Sequence, residues 1–185
     1  PHKLGPVHAV LQAIDLLDLE KPTIVNYADF TCDWSYIDFC NTVQKSGCDG
    51  AIPCYRGFHP HTLWSNYYAY VREKNMRAWD IQEKTPFTDL PREEFASSGT
   101  YYFRTGNLMQ KYFERCVSEN LTVAGEYYVS MVYKPMMKDK LNIQIYELNH
   151  FMQWGTPHDL KEYKEWHQIF RKLSQTQKRN LIKIF

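Results

Sequence analysis

The stretch Thr23-Ile24-Val25-Asn26-Tyr27-Ala28-Asp29-Phe30 is the best guide to the fold class of this chain. It opens with an apolar run rich in β-branched residues, which is typical of a buried strand. The run then ends abruptly in an aspartate. In an open α/β sheet, ligands bind beside the carboxyl ends of the strands. We therefore predict a strand from Thr23 to Tyr27 and place Asp29 at the rim of a pocket.

The residue type at position 29 fits a particular kind of pocket. Mg²⁺ takes one or two protein oxygens, keeps several waters and binds beside substrate phosphates, so a lone carboxylate suits it. Aspartate also ends many strands as a helix cap or a turn residue, and Asp29 is open to that interpretation as well.

The composition is that of a folded domain. The chain has 185 residues, 44% hydrophobic and 23% charged, which fits one α/β domain. A formal net charge of +1 argues against a nucleic-acid surface. No apolar run approaches the length of a bilayer crossing. The five cysteines form no Cys-x-x-Cys pair, and the sequence shows no signal peptide, so we expect reduced thiols in a soluble, cytoplasmic protein.

Strands and helices alternate along the sequence, which predicts a mixed α/β fold. An apolar stripe predicts a helix from Pro6 to Leu17, and Asp33 is a candidate N-cap for a helix ending at Gln44. Further strands are predicted over 49–55, 67–72, 76–84, 99–104 and 141–147. Further helices are predicted over 105–117, 125–137 and 159–173.

Several short motifs follow Asp29, and each has a structural alternative. Glu83-Lys84 closes a predicted strand and can hold a sugar hydroxyl and a phosphate, although a surface ion pair is the commoner role. Gly99 at a strand start lets a ligand approach the backbone, or merely relieves a bend. Glu126 in a first helical turn is favoured by the helix dipole whatever the function. His59-x-His61 resembles a metal pair but lacks a third ligand nearby, so we interpret both as loop histidines.

Taken in order, these motifs resemble the nucleotidyltransferases that activate sugar phosphates, over roughly Gly5 to Trp166. The likeness is greatest to the branch found with capsule and surface-polysaccharide genes. It implies a Rossmann-like, GT-A-like mixed sheet flanked by helices. It also implies transfer of a nucleotidyl group from a nucleoside triphosphate to a sugar-1-phosphate or similar phosphate, with release of pyrophosphate.

The resemblance assigns roles to residues that match the family's motifs. Gly5 and Ala9 match a turn whose backbone contacts the nucleotide base, and Asp29 matches the aspartate that holds the catalytic magnesium. The sugar-binding matches are Glu83, Lys84, Gly99, Tyr101 and Glu126, with Ser98 where the family usually has alanine. Lys84 is implied to hold the attacking phosphate, so Asp29 and Lys84 are the implied catalytic pair.

Two departures from the family pattern bear on activity. The glycine-rich loop that binds the triphosphate is absent from these residues, so we expect the second part of a longer domain, inactive by itself. Gln153 stands where many relatives have a second metal-binding aspartate, and a neutral amide is a poorer ligand for Mg²⁺. We expect the domain to cover residues 1–173 and a helical tail or connector to cover 174–185.

Three functions are therefore considered. The first is magnesium-dependent nucleotidyl transfer. The second is a non-catalytic sugar- or nucleotide-binding or regulatory module that keeps the fold. The third is a GT-A glycosyltransferase, disfavoured because such enzymes usually carry Asp-x-Asp whereas Asp29 and Asp33 are four positions apart. Neither the base, nor the acceptor, nor the oligomeric state follows from the sequence.

Overall fold

The computed structural model describes residues 4–63 and 68–182. The strands of this part are β1 (Thr23–Asn26), β2 (Phe30–Asp33), β3 (Gly50–Tyr55), β4 (Ala69–Lys74), β5 (Arg77–Glu83), β6 (Phe95–Ser97), β7 (Thr100–Phe103), β8 (Ile143–Glu147) and β9 (His150–Gln153). Its α-helices are α1 (Pro6–Leu11), α2 (Tyr36–Ser46), α3 (Gly106–Ser118), α4 (Val129–Lys138) and α5 (Pro157–Ile182). The predicted residue Tyr67, at the start of the 67–72 strand, lies outside the described residues.

Strand β3 forms the centre of a mixed, seven-stranded sheet. All its residues are buried, and it pairs in parallel with β8 and antiparallel with β7 and β6. Strands β4 and β5, predicted as strands over 67–72 and 76–84, pair as a hairpin whose turn residues Asn75 and Met76 have φ of 54° and 60°. Two successive left-handed residues match the right-handed twist of a hairpin.

Helices cover both faces of this sheet. Successive side chains of a strand point to opposite faces, and along β3 they enter different clusters. Ile52 packs in the larger core with residues of α3 and α4, such as Phe113 and Tyr133. Ala51 packs with Phe39 of α2. The predicted α/β class, a mixed sheet flanked by helices, is confirmed.

The prediction of a buried strand at Thr23–Tyr27 was wrong about burial. Strand β1 spans Thr23–Asn26, alternates between half-buried and exposed residues, and within the described residues pairs with β7. With one sheet neighbour it leaves side chains such as Ile24, which is 36% exposed, in contact with solvent. Asp29 lies beyond this strand, in the bend before β2.

Two predicted helix starts also need correction. Asp33 ends β2, and the N-cap of α2 is Ser35, whose hydroxyl accepts from the Asp38 N–H at 3.2 Å. The Gly125-Glu126 pair does not open a helix, because α4 begins at Val129. Ala124 and Gly125 have φ of 51° and 82°, and left-handed backbone cannot continue a right-handed helix.

Helix α5 begins with a reciprocal cap. Asp159 Oδ2 accepts from the N–H and hydroxyl of Thr156 at 3.1 and 2.7 Å, and Thr156 Oγ1 accepts from the Asp159 N–H at 3.1 Å. This is a capping box with Thr156 as the cap, so the helix begins before position 159, the start that the sequence predicted. The helix continues without a break through position 174. Within residues 4–63 and 68–182, no helix combines the length and apolar character needed to cross a membrane.

Candidate functional site

Five of the sequence-predicted site residues line one cavity of about 170 Å³. They come from the bend after β1, the end of β5, the turn before β7, β7 itself and the end of β9. They are Asp29, Glu83, Gly99, Tyr101 and Gln153. Positions up to 124 residues apart in sequence therefore converge, and we call this space the substrate cavity.

Asp29 is held at the mouth of the substrate cavity by backbone contacts with the end of β9. Its carbonyl oxygen accepts from the Trp154 N–H at 3.0 Å, and Phe30 pairs with Gln153 across the two strands. The side chain lies so close to Gly155 that a Cβ there would come within 2.5 Å of Asp29 Oδ2. The carboxylate itself is exposed, so it can bind a solvated cation or phosphate-bound metal.

Gln153 lies beside Asp29 with its amide orientation set by α5. Its side-chain nitrogen donates to Asp159 Oδ2 at 3.2 Å. That bond occupies the donor end of the amide, so the oxygen is the end available to a cation. A carboxylate and an amide oxygen are both acceptable ligands for Mg²⁺ that keeps waters and substrate oxygens, so these residues fit that ion.

Glu83 is a buried acid rather than half of a surface ion pair. Its side chain is 9% exposed, and the Ser130 hydroxyl of α4 donates to Oε2. Burial raises the pKa of the Glu83 carboxyl, while the Ser130 hydrogen bond and the charge of Lys84 oppose the rise. The second carboxylate oxygen, Oε1, takes no hydrogen bond from the described residues and can accept one from a ligand hydroxyl.

Lys84 and Glu126 meet through a residue that the motifs did not include. The Lys84 ammonium donates to the Tyr128 hydroxyl, and that hydroxyl donates to the Glu126 carboxylate. The ammonium also lies 4.5 Å from the centre of the Tyr128 ring. Tyr128 lines the substrate cavity, whereas Lys84 and Glu126 are not among its described lining residues. Lys84 has φ of 60°, a strained backbone of the kind that clusters at functional sites.

Gly99 and Tyr101 line the substrate cavity together with Tyr27. Gly99 has φ of +90°, and a Cβ there would lie 3.1 Å from the Tyr27 ring. The Tyr27 and Tyr101 rings pack edge to face with centroids 5.9 Å apart. The Tyr27 hydroxyl is buried and has no hydrogen-bond partner among the described residues, the Val129 N–H lying nearby outside bonding geometry. Burial raises the pKa of that hydroxyl, so it stays protonated.

Gly5 and Ala9 lie at the edge of the same region but do not line the substrate cavity. Gly5 has φ of +93°, and a Cβ there would come within 2.7 Å of the Tyr127 backbone. The Tyr127 N–H donates to Leu4 O at 2.9 Å, so this turn is bound to the loop that carries Glu126 and Tyr128. Ala9 is exposed on α1. The backbone of this turn therefore stands next to the predicted sugar-binding loop.

The two histidines of His59-x-His61 belong to an aromatic cluster rather than to an exposed loop. Both are 4% exposed. The Tyr55 ring stacks on Phe151 with centroids 4.3 Å apart and lies 4.8 Å from His59. Within the described part of the chain, no group of three or more His, Cys, Asp or Glu side chains is placed to hold a metal ion.

Sequence reasoning missed four residues that shape the site. Tyr27 stands inside the stretch that identified Asp29, and Tyr128 follows the Gly-Glu motif by two positions, so proximity in sequence was a usable signal. Gly155 likewise follows Gln153 by two positions, although the partner on which it acts, Asp29, is 126 positions away. Ser130 had no such signal, because it acts on Glu83, 47 positions away.

Comparison with known proteins defines the class of fold. No family model and no curated protein sequence matches the chain. A nucleoside-diphosphate-sugar pyrophosphorylase from Vibrio cholerae RC9 superposes with a TM-score of 0.67 at 16% identity, over 88% of this chain and 66% of that one. A UDP-glucose pyrophosphorylase complexed with UDP-glucose gives a TM-score of 0.67 at 18% identity, over 89% and 64%. The fold is that of sugar-nucleotide pyrophosphorylases, and the chain spans just under two thirds of these proteins.

Proposed function

We propose that this chain contributes the acceptor-binding part of an enzyme that transfers a nucleotidyl group from a nucleoside triphosphate to a sugar-1-phosphate, releasing pyrophosphate. The observation that carries the proposal is the convergence of Asp29, Glu83, Gly99, Tyr101 and Gln153 on one cavity. The pyrophosphorylase fold supports it independently. The resemblance to surface-polysaccharide enzymes extends the proposal to nucleotide-sugar synthesis in the cytoplasm.

The residues of the substrate cavity suit a sugar. Glu83 offers a buried acceptor oxygen, and the Tyr128 hydroxyl, whose proton goes to Glu126, offers a further acceptor at the wall. Buried polar groups without partners are costly, so a ligand that supplies hydroxyls is favoured over an apolar one. In the proposal Glu83 accepts from a sugar hydroxyl, and Tyr101 packs against the ring.

Lys84 serves the acceptor phosphate in this proposal. Its ammonium is held by the Tyr128 hydroxyl, which lowers the entropy lost when it binds an anion. The phosphate is already anionic, so the attack needs orientation and charge neutralisation rather than a general base. Gly5 and Ala9 are proposed to contact the nucleotide base through their backbone, next to the Glu126 loop.

Magnesium is the proposed cofactor, with Asp29 as its principal protein ligand and Gln153 as a weaker one. When bound, the ion would neutralise charge on the phosphate oxygens. Asp29 is fixed for this role through its Trp154 hydrogen bond and its contact with Gly155. Asp159 orients Gln153 by accepting from its amide nitrogen.

A second candidate is a binding module without catalysis, and Gln153 is the observation that favours it. An amide at this position binds Mg²⁺ less strongly than a carboxylate, while the sugar-binding residues are unaffected. The glycosyltransferase alternative is weakened by geometry. Asp29 and Asp33 lie at opposite ends of β2, and Asp33 lines a different cavity.

Two measurements test the proposal and separate the candidates. Pyrophosphate release is measured with Mg²⁺, the four nucleoside triphosphates and a panel of sugar-1-phosphates, on a longer chain that carries these residues together with a triphosphate-binding loop. Calorimetry measures binding of each sugar-1-phosphate alone. We expect release with one pair, which Asp29→Asn lowers to a small residual rate and which Asp15→Asn, at an exposed acid outside the cavity, leaves unaffected. Binding without release, weakened by Glu83→Gln, would support the binding module. Absence of both would overturn both candidates.

A further inference from the structure

A second and larger cavity, of about 410 Å³, lies on the other side of Phe151 and Gln153 from the substrate cavity. We call it the helix cavity, because one wall is the face of α5 that carries Asp159, Glu162, Tyr163, Trp166 and Phe170. These positions recur at three- and four-residue intervals and therefore share one side of the helix. The volume falls within the range of small-molecule sites, roughly 300–1,000 Å³.

Aromatic rings of the helix cavity are left unusually open. Phe58, from the loop after β3, is 59% exposed, and Phe170, on α5, is 61% exposed. The Trp166 and Phe170 rings are nearly parallel with centroids 5.7 Å apart, and both line the helix cavity. Open aromatic faces carry negative electrostatic potential and attract cations.

The carboxylates around the helix cavity outnumber its basic side chains other than histidine. Its described lining includes three acids, Asp33, Asp159 and Glu162, four histidines, His59, His61, His150 and His167, and neither lysine nor arginine. All hydrogen bonds described for the Asp159 carboxylate go to Oδ2, so Oδ1 is available to a ligand. Such a lining disfavours phosphate, nucleotides and other anions.

The two buried histidines of the helix cavity, His59 and His61, do not add a positive charge to its lining. His59 Nδ1 accepts from the Phe151 N–H at 3.4 Å and Nε2 donates to Arg56 O at 3.2 Å, which is the neutral tautomer. His61 Nε2 lies 3.0 Å from the Tyr55 hydroxyl, and burial lowers the pKa of His61 to about 4. Both rings are neutral near pH 7, so neither His59 nor His61 offsets the charge of the Asp33 and Asp159 carboxylates.

We propose that the helix cavity is a separate binding site for a small organic cation, an amine or quaternary ammonium compound. In this proposal the cationic head of the ligand has the rings of Trp166 and Phe170 on one side and the carboxylates of Asp33 and Asp159 on the other. This site does not depend on the proposed transfer reaction, since it shares with the substrate cavity only the dividing wall of Phe151 and Gln153. A ligand in either cavity therefore contacts residues that also line the other cavity.

The test uses two probes of nearly equal shape, choline and the uncharged 3,3-dimethylbutan-1-ol, and inorganic phosphate as the anion. Binding is followed by the side-chain indole resonance of Trp166, which the Trp166→Leu variant assigns, and by calorimetry. We expect choline to shift that resonance and to bind about tenfold more tightly than the alcohol, as a cation–π contact predicts. Equal affinity for choline and the alcohol, binding of phosphate instead, or no shift with any probe would overturn the proposal.

Variants locate the site and control for folding. Trp166→Leu should weaken choline binding about tenfold, and Asp33→Asn, at an exposed position, should weaken it without affecting the fold. Trp79→Leu is the matched control, because Trp79 is 54% exposed on β5 and outside the cavity. Choline binding that survives both Trp166→Leu and Asp33→Asn would place the cation elsewhere and reject the assignment. All these measurements omit nucleotide and sugar phosphate, so they are independent of transferase activity.

Discussion

Gly155 leaves the space that the Asp29 carboxylate occupies. A Cβ at position 155 would lie 2.5 Å from Asp29 Oδ2, closer than real Cβ contacts allow. The neighbouring Trp154 N–H donates to the Asp29 carbonyl at 3.0 Å, so the backbone on both sides of this contact is fixed. The absence of a side chain at 155 therefore sets where the predicted metal-binding carboxylate stands.

Gly155→Ala tests this relationship. Because the backbone is tied, the added methyl group should displace the carboxylate, and a misplacement of about 1 Å at a catalytic group can cost on the order of 100-fold in rate. We expect the rate of pyrophosphate release to fall accordingly. If the effect acts through Asp29, the double variant Asp29→Asn/Gly155→Ala should be no slower than Asp29→Asn alone. Additive losses would show that Gly155 acts in another way.

Gly99→Ala should destabilise the protein through both backbone strain and contact with Tyr27. A positive φ costs a residue with a Cβ about 1–2 kcal/mol, and here the Cβ would also lie 3.1 Å from the Tyr27 ring. Gly57→Ala is the matched control, since Gly57 has φ of +87° with nothing within 4 Å of its Cβ position. Urea unfolding should show a larger loss for Gly99→Ala. Equal losses would mean that the Tyr27 ring moves away from the added methyl group at no cost in stability.

Glu83→Gln should change how stability depends on pH. The pKa of Glu83 is raised in the folded protein by burial, so its carboxyl stabilises the fold when protonated and loses that contribution as the pH rises through the folded pKa. Glutamine keeps the shape and an acceptor for Ser130 without titrating. The free energy of unfolding of Glu83→Gln should therefore rise relative to that of the wild type as the pH increases above 4.5, the ordinary pKa of a glutamate carboxyl.

The matched change for this measurement is Ser130→Ala. It removes the hydrogen bond that favours ionised Glu83, and leaving a buried acceptor unpaired costs about 1–3 kcal/mol. Chemical denaturation across the same pH series measures both variants. A constant difference between wild type and Glu83→Gln at every pH would contradict the assignment of a raised pKa.

His61→Gln should remove an acid-dependent loss of stability. Burial lowers the pKa of His61 from 6.5 to about 4, so unfolding takes up a proton between these values and the fold weakens as the pH falls. A shift of this size corresponds to roughly 3 kcal/mol. Glutamine retains a partner for the Tyr55 hydroxyl. The free energy of unfolding should fall less between pH 7 and pH 4 for His61→Gln than for the wild type. His150→Gln, at an exposed histidine, is the control. An equal fall for the wild type and His61→Gln would refute the prediction.

Short stretches of sequence determined the helices and strands that are marked by caps, by end residues or by an apolar run. The helix predicted over 105–117 is α3, whose cap Thr105 accepts from the Leu108 N–H at 3.1 Å, and Gly47 ends α2 in the left-handed conformation. The apolar run of β3 identified the central strand, because a strand covered on both faces has no polar alternation. The mixed α/β class follows from such patterns, which reflect the period of each element and its ends.

Tertiary structure decided what depends on contacts between distant residues. The outer position of β1, the turn at Gly125 and the burial of His59 follow from neighbours that no short window contains. The site residues were proposed from collinear motifs, yet their roles depend on partners such as Tyr128, which joins Lys84 to Glu126.

Tertiary structure likewise decided the geometry of the substrate cavity. The sequence by itself determined which acids and glycines are present and in what order. Which carboxylate is buried, as at Glu83, and which is exposed, as at Asp29, was set by the packing of strands and helices that are far apart in the chain. Burial and close approach are properties of the folded arrangement, because each needs atoms from at least two elements to exclude water or to meet.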